Sequence, residues 1–236
     1  MVLSGVNCKI KENAFTVIMG NNGSGKSTLL RTIGGIHPYQ SGSIKINGFE
    51  LKDLKPKDRA RHIGFLAQHH KAVFPFVVSE VVLTGRASFV NYLPKKEDEY
   101  EADKAMERLG ISHMKNYIYS ELSGGQQQLV MIARMLAQKS KIVLMDEPIS
   151  ALDYHNQIKI IKIIKELVEQ SITVVAVLHD PNLSFLYADE FIYVHDKKAH
   201  EVTEGKAWEH PLVKEIFHEE FQRLDYKDKC IFVPNI

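Results

Sequence analysis

Three runs in this chain are continuously apolar and end in polar residues: FTVIM at 15–19, IVLMD at 142–146 and TVVAVLHD at 173–180. Uninterrupted runs of this kind suit strands buried on both faces of a parallel sheet. Between the last two lies NQIKIIKIIKELVEQ at 156–170. There Ile158, Ile161, Ile164 and Val168 share one helical stripe, with Lys159, Lys162 and Glu166 elsewhere, which predicts a crossover helix with core-filling isoleucines. Strand-like runs stop between about 75 and 137, and KKEDEYEADKAMERLG at 95–110 predicts a solvated helix ended by Gly110. The pattern therefore predicts an α/β chain with a core over about 1–74 and 138–210. A helical subdomain is inserted at about 75–137, and a tail spans 211–236, whose last residues, CIFVPNI, predict a closing strand.

Composition narrows the function classes. The chain has 236 residues, enough for one α/β domain with a subdomain and a sizeable core. Thirty basic residues against 29 acidic leave a net charge of +1, which argues against nucleic acid as a partner. Cys8 and Cys230 stand far apart and in no ligand spacing, so they are expected as reduced thiols. The adjacent His69 and His70 have no third ligand nearby and read as ordinary surface residues. No leader is expected, and no apolar run approaches the ~18 residues of a membrane span. Any dealing with a membrane is expected to go through partners.

The chemistry begins with GNNGSGKST at 20–28, directly after FTVIM and before the helix-like STLLRTIGGI. Gly20, Gly25, Lys26 and Ser27 satisfy G-x-x-x-x-G-K-[ST] between a strand and a helix, the setting that a phosphate-binding loop requires. Glycines let successive backbone N–H groups turn inward around phosphate oxygens. Lys26 adds a charge for the β- and γ-phosphates, Ser27 offers a hydroxyl to Mg²⁺, and the helix N-terminus adds its partial positive charge. IVLMDE then ends an apolar strand in two carboxylates. Asp146 can hold Mg²⁺ opposite Ser27, and Glu147 can polarise a water against the γ-phosphate, which favours hydrolysis over transfer.

LSGGQ at 122–126 narrows the class to one family. With Gln68, SALD at 150–153 and His179, it resembles the ATP-binding subunits of ABC transporters over almost the whole chain. The resemblance implies a P-loop NTPase with a RecA-like parallel-sheet core, in which residues 20–28 (Gly20, Asn21, Asn22, Gly23, Ser24, Gly25, Lys26, Ser27, Thr28) bind ATP. It implies that Glu147, His179 and Gln68 act in catalysis, His179 as the switch residue near the γ-phosphate. Gln68 lies on the loop that meets the membrane partner, and joins Ser27 and Asp146 at Mg²⁺. Ser123, Gly124, Gly125 and Gln126 are the signature, and Asp153 belongs to a loop crossing the dimer interface. Ser123 and its glycines form a second anion-binding helix start, too far along to serve the same nucleotide. A head-to-tail homodimer, each ATP clamped between two chains, resolves this.

Departures from the family pattern also count. The usual first strand and adenine-stacking aromatic are missing ahead of Gly20, so weaker ATP affinity and little base selectivity are expected. Ile149 stands where the family has threonine, and Gln127 and Leu129 replace common arginines. Four stretches, 54–68, 78–86, 150–157 and 177–189, resemble the motors of importers for metal chelates such as ferric siderophores, haem or cobalamin. Molybdate or tungstate importers are the nearest alternative, and a soluble ATPase of ribosomes, repair or iron–sulfur assembly is a more distant one. The expected complex is two copies of this chain beneath two permease subunits, at the cytoplasmic face of the membrane, fed by an external binding protein. Thr84, Gly85 and Arg86 are expected on the permease-docking face, with Phe74 and Phe76 as apolar anchors.

Overall fold

A computed structural model describes residues 2–68, 75–202, 206–217, 221–227 and 229–234. His69, His70 and Phe74 lie outside them. In chain order the elements are β1 (Phe15–Met19), α1 (Lys26–Ile33), β2 (Lys45–Ile46), β3 (Phe49–Glu50), α2 (Pro56–His62), β4 (Ile63–Leu66), α3 (Val78–Leu83), α4 (Lys96–Arg108) and α5 (Gly124–Ala137). They continue with β5 (Ile142–Asp146), α6 (Tyr154–Glu169), β6 (Thr173–Val177), α7 (Pro181–Tyr187), β7 (Glu190–His195), β8 (Lys198–Glu201), α8 (Leu212–Phe217), β9 (Phe221–Tyr226) and β10 (Lys229–Pro234). The chain forms two compact units. One comprises 1–40, 145–147 and 161–236, the other 41–144 and 148–160.

The first unit is built on the strand order β6-β1-β7-β8, with the tip of β5 beside β6. β1 pairs in parallel with both neighbours, Phe15 opposite Val174 and Thr16 opposite Glu190. All five residues of β1 and all five of β6 are buried, which is why both read as continuous apolar runs. β8 closes the edge antiparallel to β7. The tail is a helix and a hairpin, α8 followed by antiparallel β9 and β10, with Cys230 opposite Asp225. The predicted strand at CIFVP is thus present, paired within the tail itself. Phe185, Phe191, Trp208, Phe217, Phe221 and Phe232 form its aromatic packing, with ring centroids 5.1 to 6.2 Å apart.

The buried stripe of α6 overlaps the predicted one, sharing Ile161 and Ile164, but is not centred on it. Ile160, Ile161, Ile163, Ile164 and Leu167 are buried, whereas Ile158 and Val168 are half-exposed at its margins. Seven aliphatic residues in this helix make the apolar arc wide, so the i, i+3, i+4 rule marks the face without centring it.

The second unit packs α3, α4 and α5 against one another, with α5 also against β4, and contains the β2–β3 hairpin. Asn47 (φ 50°) and Gly48 (φ 82°) turn that hairpin, the left-handed pair that a tight two-residue turn demands. The stretch Thr84–Arg86 departs from expectation. A Cβ on Gly85 would stand 2.0 Å from the Arg134 carbonyl oxygen, so only glycine lets this turn approach α5 so closely. Arg86 is buried, donating from Nε to Asp98 Oδ1 (3.0 Å) and from NH1 to the Ala137 carbonyl (3.1 Å), with its guanidinium 4.1 Å from the Phe89 ring centroid. Thr84 Oγ1 donates to the Val81 carbonyl and accepts from Arg134 Nε. Gly85 and Arg86 are thus buried among three helices and offer no exposed docking face, whereas Thr84 and Phe76 are exposed.

Breaking a buried ion pair leaves the other charge stranded, at a cost of about 3–5 kcal/mol. Arg86→Ala should therefore lower unfolding stability by about 3 kcal/mol, measured by urea titration, and Arg86→Lys should recover only part of it. The Lys95 amide, above all, and the Arg86 guanidinium hold the Asp98 carboxyl below its ordinary range against the opposing effect of burial. A depressed carboxyl stabilises the fold above its unfolded pKa of about 4, and that contribution fades as pH falls through the folded value.

Candidate nucleotide site

Every polar group of the site described here belongs to the first unit. β1 delivers the chain into the loop at 20–28. Gly20 is demanded by packing, because a Cβ there would stand 2.3 Å from the Val194 carbonyl oxygen on β7. Gly25 caps α1 at φ 107°, a left-handed conformation that turns the loop into the helix. Lys26 is buried and lies back across the loop, donating from Nζ to the carbonyls of Gly20 (2.8 Å) and Asn21 (2.9 Å). Burial pushes its pKa below the usual lysine value, against the opposing pull of Glu147 and Asp146. Ser24 Oγ is buried in the same loop with no hydrogen-bond partner among the described residues. Val2 and Leu3 lie against Gly25, within 3.0 Å of where a Cβ would stand.

Asp146, at the tip of β5, is wholly buried. Its Oδ1 accepts from Ser27 Oγ at 2.7 Å and its Oδ2 from Arg31 NH2 at 3.2 Å. Hydroxyl and carboxylate oxygens converging at this distance are the hard donors that Mg²⁺ takes, so the residues present fit that ion. Glu147 follows with φ 54°, a strained value for a residue other than glycine. His179 Nε2 lies 2.8 Å from Glu147 Oε1, placed to donate to it. Beside them is a cavity of about 440 Å³, walled by Gly20, Asn21, Asn22 and His179 and by Ile216 and Phe217 of α8. The phosphate loop, Asp146, Glu147 and His179, three separate stretches of sequence, are thus assembled in one place.

The remaining predicted residues lie in the second unit. Ser123 caps α5: its Oγ accepts from the Gln126 amide (3.3 Å), and Gln126 Oε1 accepts from the Ser123 amide (3.0 Å). Gly124 is exposed and Gly125 half-buried. Asp153 caps α6, accepting from the Asn156 amide at 2.8 Å. Gln127, in place of the common arginine, donates to the carbonyls of Tyr119 and Leu122 and so ties down the turn before the signature. Gln68 follows β4 by two residues and is half-buried; its assignment rests on the resemblance alone.

Sequence reasoning missed Arg31 and the α8 wall. Arg31 is a basic residue in the last turn of a helix, a position that ordinarily means nothing more than dipole compensation.

The description "ABC transporter" fits residues 3–150 of this chain. The chain belongs to the ABC transporter family, as one of its ATP-binding domains. It is 35% identical over 237 residues to the ferric enterobactin transport ATP-binding protein of Escherichia coli (strain K12), covering 99% of this chain and 84% of that one. Its fold matches a metal-chelate type ABC transporter in an inward-facing conformation, with TM-score 0.80, 30% identity, and 98% of this chain and 90% of the other covered. It also matches a dimeric ATP-binding cassette in a post-hydrolysis state bound to ADP and phosphate, with TM-score 0.78, 33% identity, and 86% and 92% covered. The activity of this ABC domain is ATP hydrolysis. Among the described residues, no helix is long and apolar enough to cross a membrane.

Replacing Lys26 separates binding from folding. A charge-assisted contact contributes about 1.5–3 kcal/mol, so Lys26→Met should weaken ATP binding about tenfold or more in a fluorescent-nucleotide titration. Its melting temperature should hold or rise without nucleotide, because the substitution removes a desolvated ammonium.

Proposed function

We propose that this chain is the ATP-hydrolysing motor of a membrane importer for a metal chelate such as a ferric siderophore. Two copies would work beneath two permease subunits at the cytoplasmic face, with an external binding protein delivering the cargo. The observation that carries the cargo assignment is the likeness, across 99% of this chain, to a ferric enterobactin transport subunit.

The geometry of the first unit supports the hydrolytic half of this reading. Backbone amides of the loop at 20–28 cradle the phosphates, and Lys26 releases its two carbonyls to reach the β- and γ-phosphates. The buried hydroxyl of Ser24 is a ready partner for a phosphate oxygen. Ser27 and Asp146 would hold Mg²⁺, which supplies charge neutralisation on the β- and γ-oxygens. Glu147 accepts a proton from the attacking water, and His179 holds the Glu147 carboxylate and the γ-phosphate side of the pocket. The signature residues Ser123, Gly124, Gly125 and Gln126 would close on the nucleotide of the partner chain, with Asp153 crossing the same interface. The dimeric relative with bound ADP and phosphate supports that arrangement.

Glu147→Gln should retain ATP affinity while turnover falls on the order of 10²–10⁴-fold. The variant should elute as an ATP-bound dimer on size exclusion. Unchanged phosphate release would remove Glu147 from the mechanism.

The cargo is tested with the motor reconstituted with its permease in proteoliposomes. Binding protein loaded with ferric chelate should stimulate ATPase activity over the unloaded protein. Stimulation by molybdate-loaded protein alone would overturn the cargo and keep the importer. Stimulation by lipids or drugs without any binding protein would overturn both.

A further inference from the structure

The tail at 211–236 carries none of the motifs read above, yet its described part is tied to the stretch of chain that bears His179. α7 starts two residues after His179, capped by Asp180, whose carboxylate accepts from the Leu183 amide at 2.9 Å. A helix of seven residues is too short to hold its own position, so what it packs on decides where its first turn lies. That partner is β10. Asn182, in the first turn of α7, uses its side-chain amide as a strand would use its backbone. Its Oδ1 accepts from the Phe232 amide at 2.7 Å, and its Nδ2 donates to the Phe232 carbonyl at 3.0 Å. Three residues on, the wholly buried Phe185 stacks on Phe232, with centroids 5.1 Å apart and planes at 28°.

A second contact approaches the same histidine from the other side. Ile216 and Phe217 of α8 face the cavity that His179 shares with Asn21 and Asn22. Phe217 also packs on Phe232, at 5.8 Å. α8 is in turn fixed to the end of β7 by Glu215, 3.0 Å from His195 Nε2. His179 itself is 43% exposed, and its one described side-chain partner is Glu147. Besides that contact, the imidazole's place depends on the backbone of His179, which lies two residues before α7.

We propose that the α8–β9–β10 tail is a positioning element for His179, acting through the Asn182–Phe232 pair. This rests on the role given to His179 under the proposed function. Asn182 pairs with Phe232 and does not wall the cavity beside His179; it sets where α7 begins, and thereby how the imidazole meets Glu147 and the γ-phosphate. Losing the pair frees the first turn of α7, and displacements of about 1 Å at a reacting centre can cost on the order of 10²-fold in rate. Because the imidazole stays in the site, a smaller loss of about tenfold in kcat is expected.

The test is a double-mutant cycle on the full chain, read by single-turnover hydrolysis, by fluorescent-nucleotide affinity with Mg²⁺ and by melting temperature. Asn182→Ala should lower kcat about tenfold with MgATP affinity within about twofold of the parent. In a His179→Ala background it should lower the rate no further, because the residue it positions is gone. Asn182→Asp, which keeps the acceptor and loses the donor, serves if the alanine variant fails to fold, and should fall between parent and alanine. Parental kcat in Asn182→Ala, or in Asn182→Asp where it stands in, would overturn the inference. So would an equal further loss in the His179→Ala background, since the tail would then act on something else. A His179→Ala protein with parental turnover would overturn the role of His179, and the inference with it. A normal loss in His179→Ala beside parental Asn182 variants would overturn the inference alone.

Discussion

A carboxylate with no exposure to water must be paired, and Asp146 is such a group. Its two oxygens accept from Ser27 at the start of α1 and from Arg31 one turn further on. The requirement fixes the tip of β5 against the first helix, and so fixes the loop at 20–28 that the helix ends. Lys26 is drawn into the same electrostatic neighbourhood: burial disfavours its charge, the two acids oppose that only in part, and its ammonium donates to two loop carbonyls. In the proposed mechanism a nucleotide with its metal ion would replace these internal pairings by external ones of the same sign. Each charge of the site is paired with a neighbour that such a ligand could relieve.

Legibility in the sequence followed the range of the interactions. β1, β5 and β6 were legible because burial on both faces leaves an unbroken apolar run, and the phosphate loop because its backbone geometry demands glycines at fixed offsets. Asp146, Glu147 and His179 were legible as strand-tip residues through local pattern and family likeness. Arg31 was not, since its pairing with Asp146 spans 115 positions and leaves no periodic trace. Gly85 and Arg86 departed from the docking face that family likeness implied. What buries them is a close approach to Arg134 and an ion pair to Asp98, both tertiary. The closing strand of the tail was legible, but its link to α7 was not, for the same reason: Asn182 is an ordinary helix-start residue until Phe232 is placed beside it.

The signature shows how one hydroxyl can serve two structures. In the single chain Ser123 Oγ accepts from the Gln126 amide and closes a capping box, which satisfies two groups at the start of α5. A serine hydroxyl has one proton to donate besides its acceptor lone pairs. In the proposed dimer Ser123 would donate to a phosphate oxygen of the partner chain's nucleotide without releasing its cap. Such assembly would add a charge-assisted hydrogen bond at little cost in helix stability, where a lysine held only by phosphate would have to order a long side chain each time. Asp153 follows the same logic, holding the start of α6 through Asn156 while remaining exposed. Residues that cap their own helices are ordered without a partner. That preorganisation would suit the proposed clamp, which would close and open once in every hydrolytic cycle.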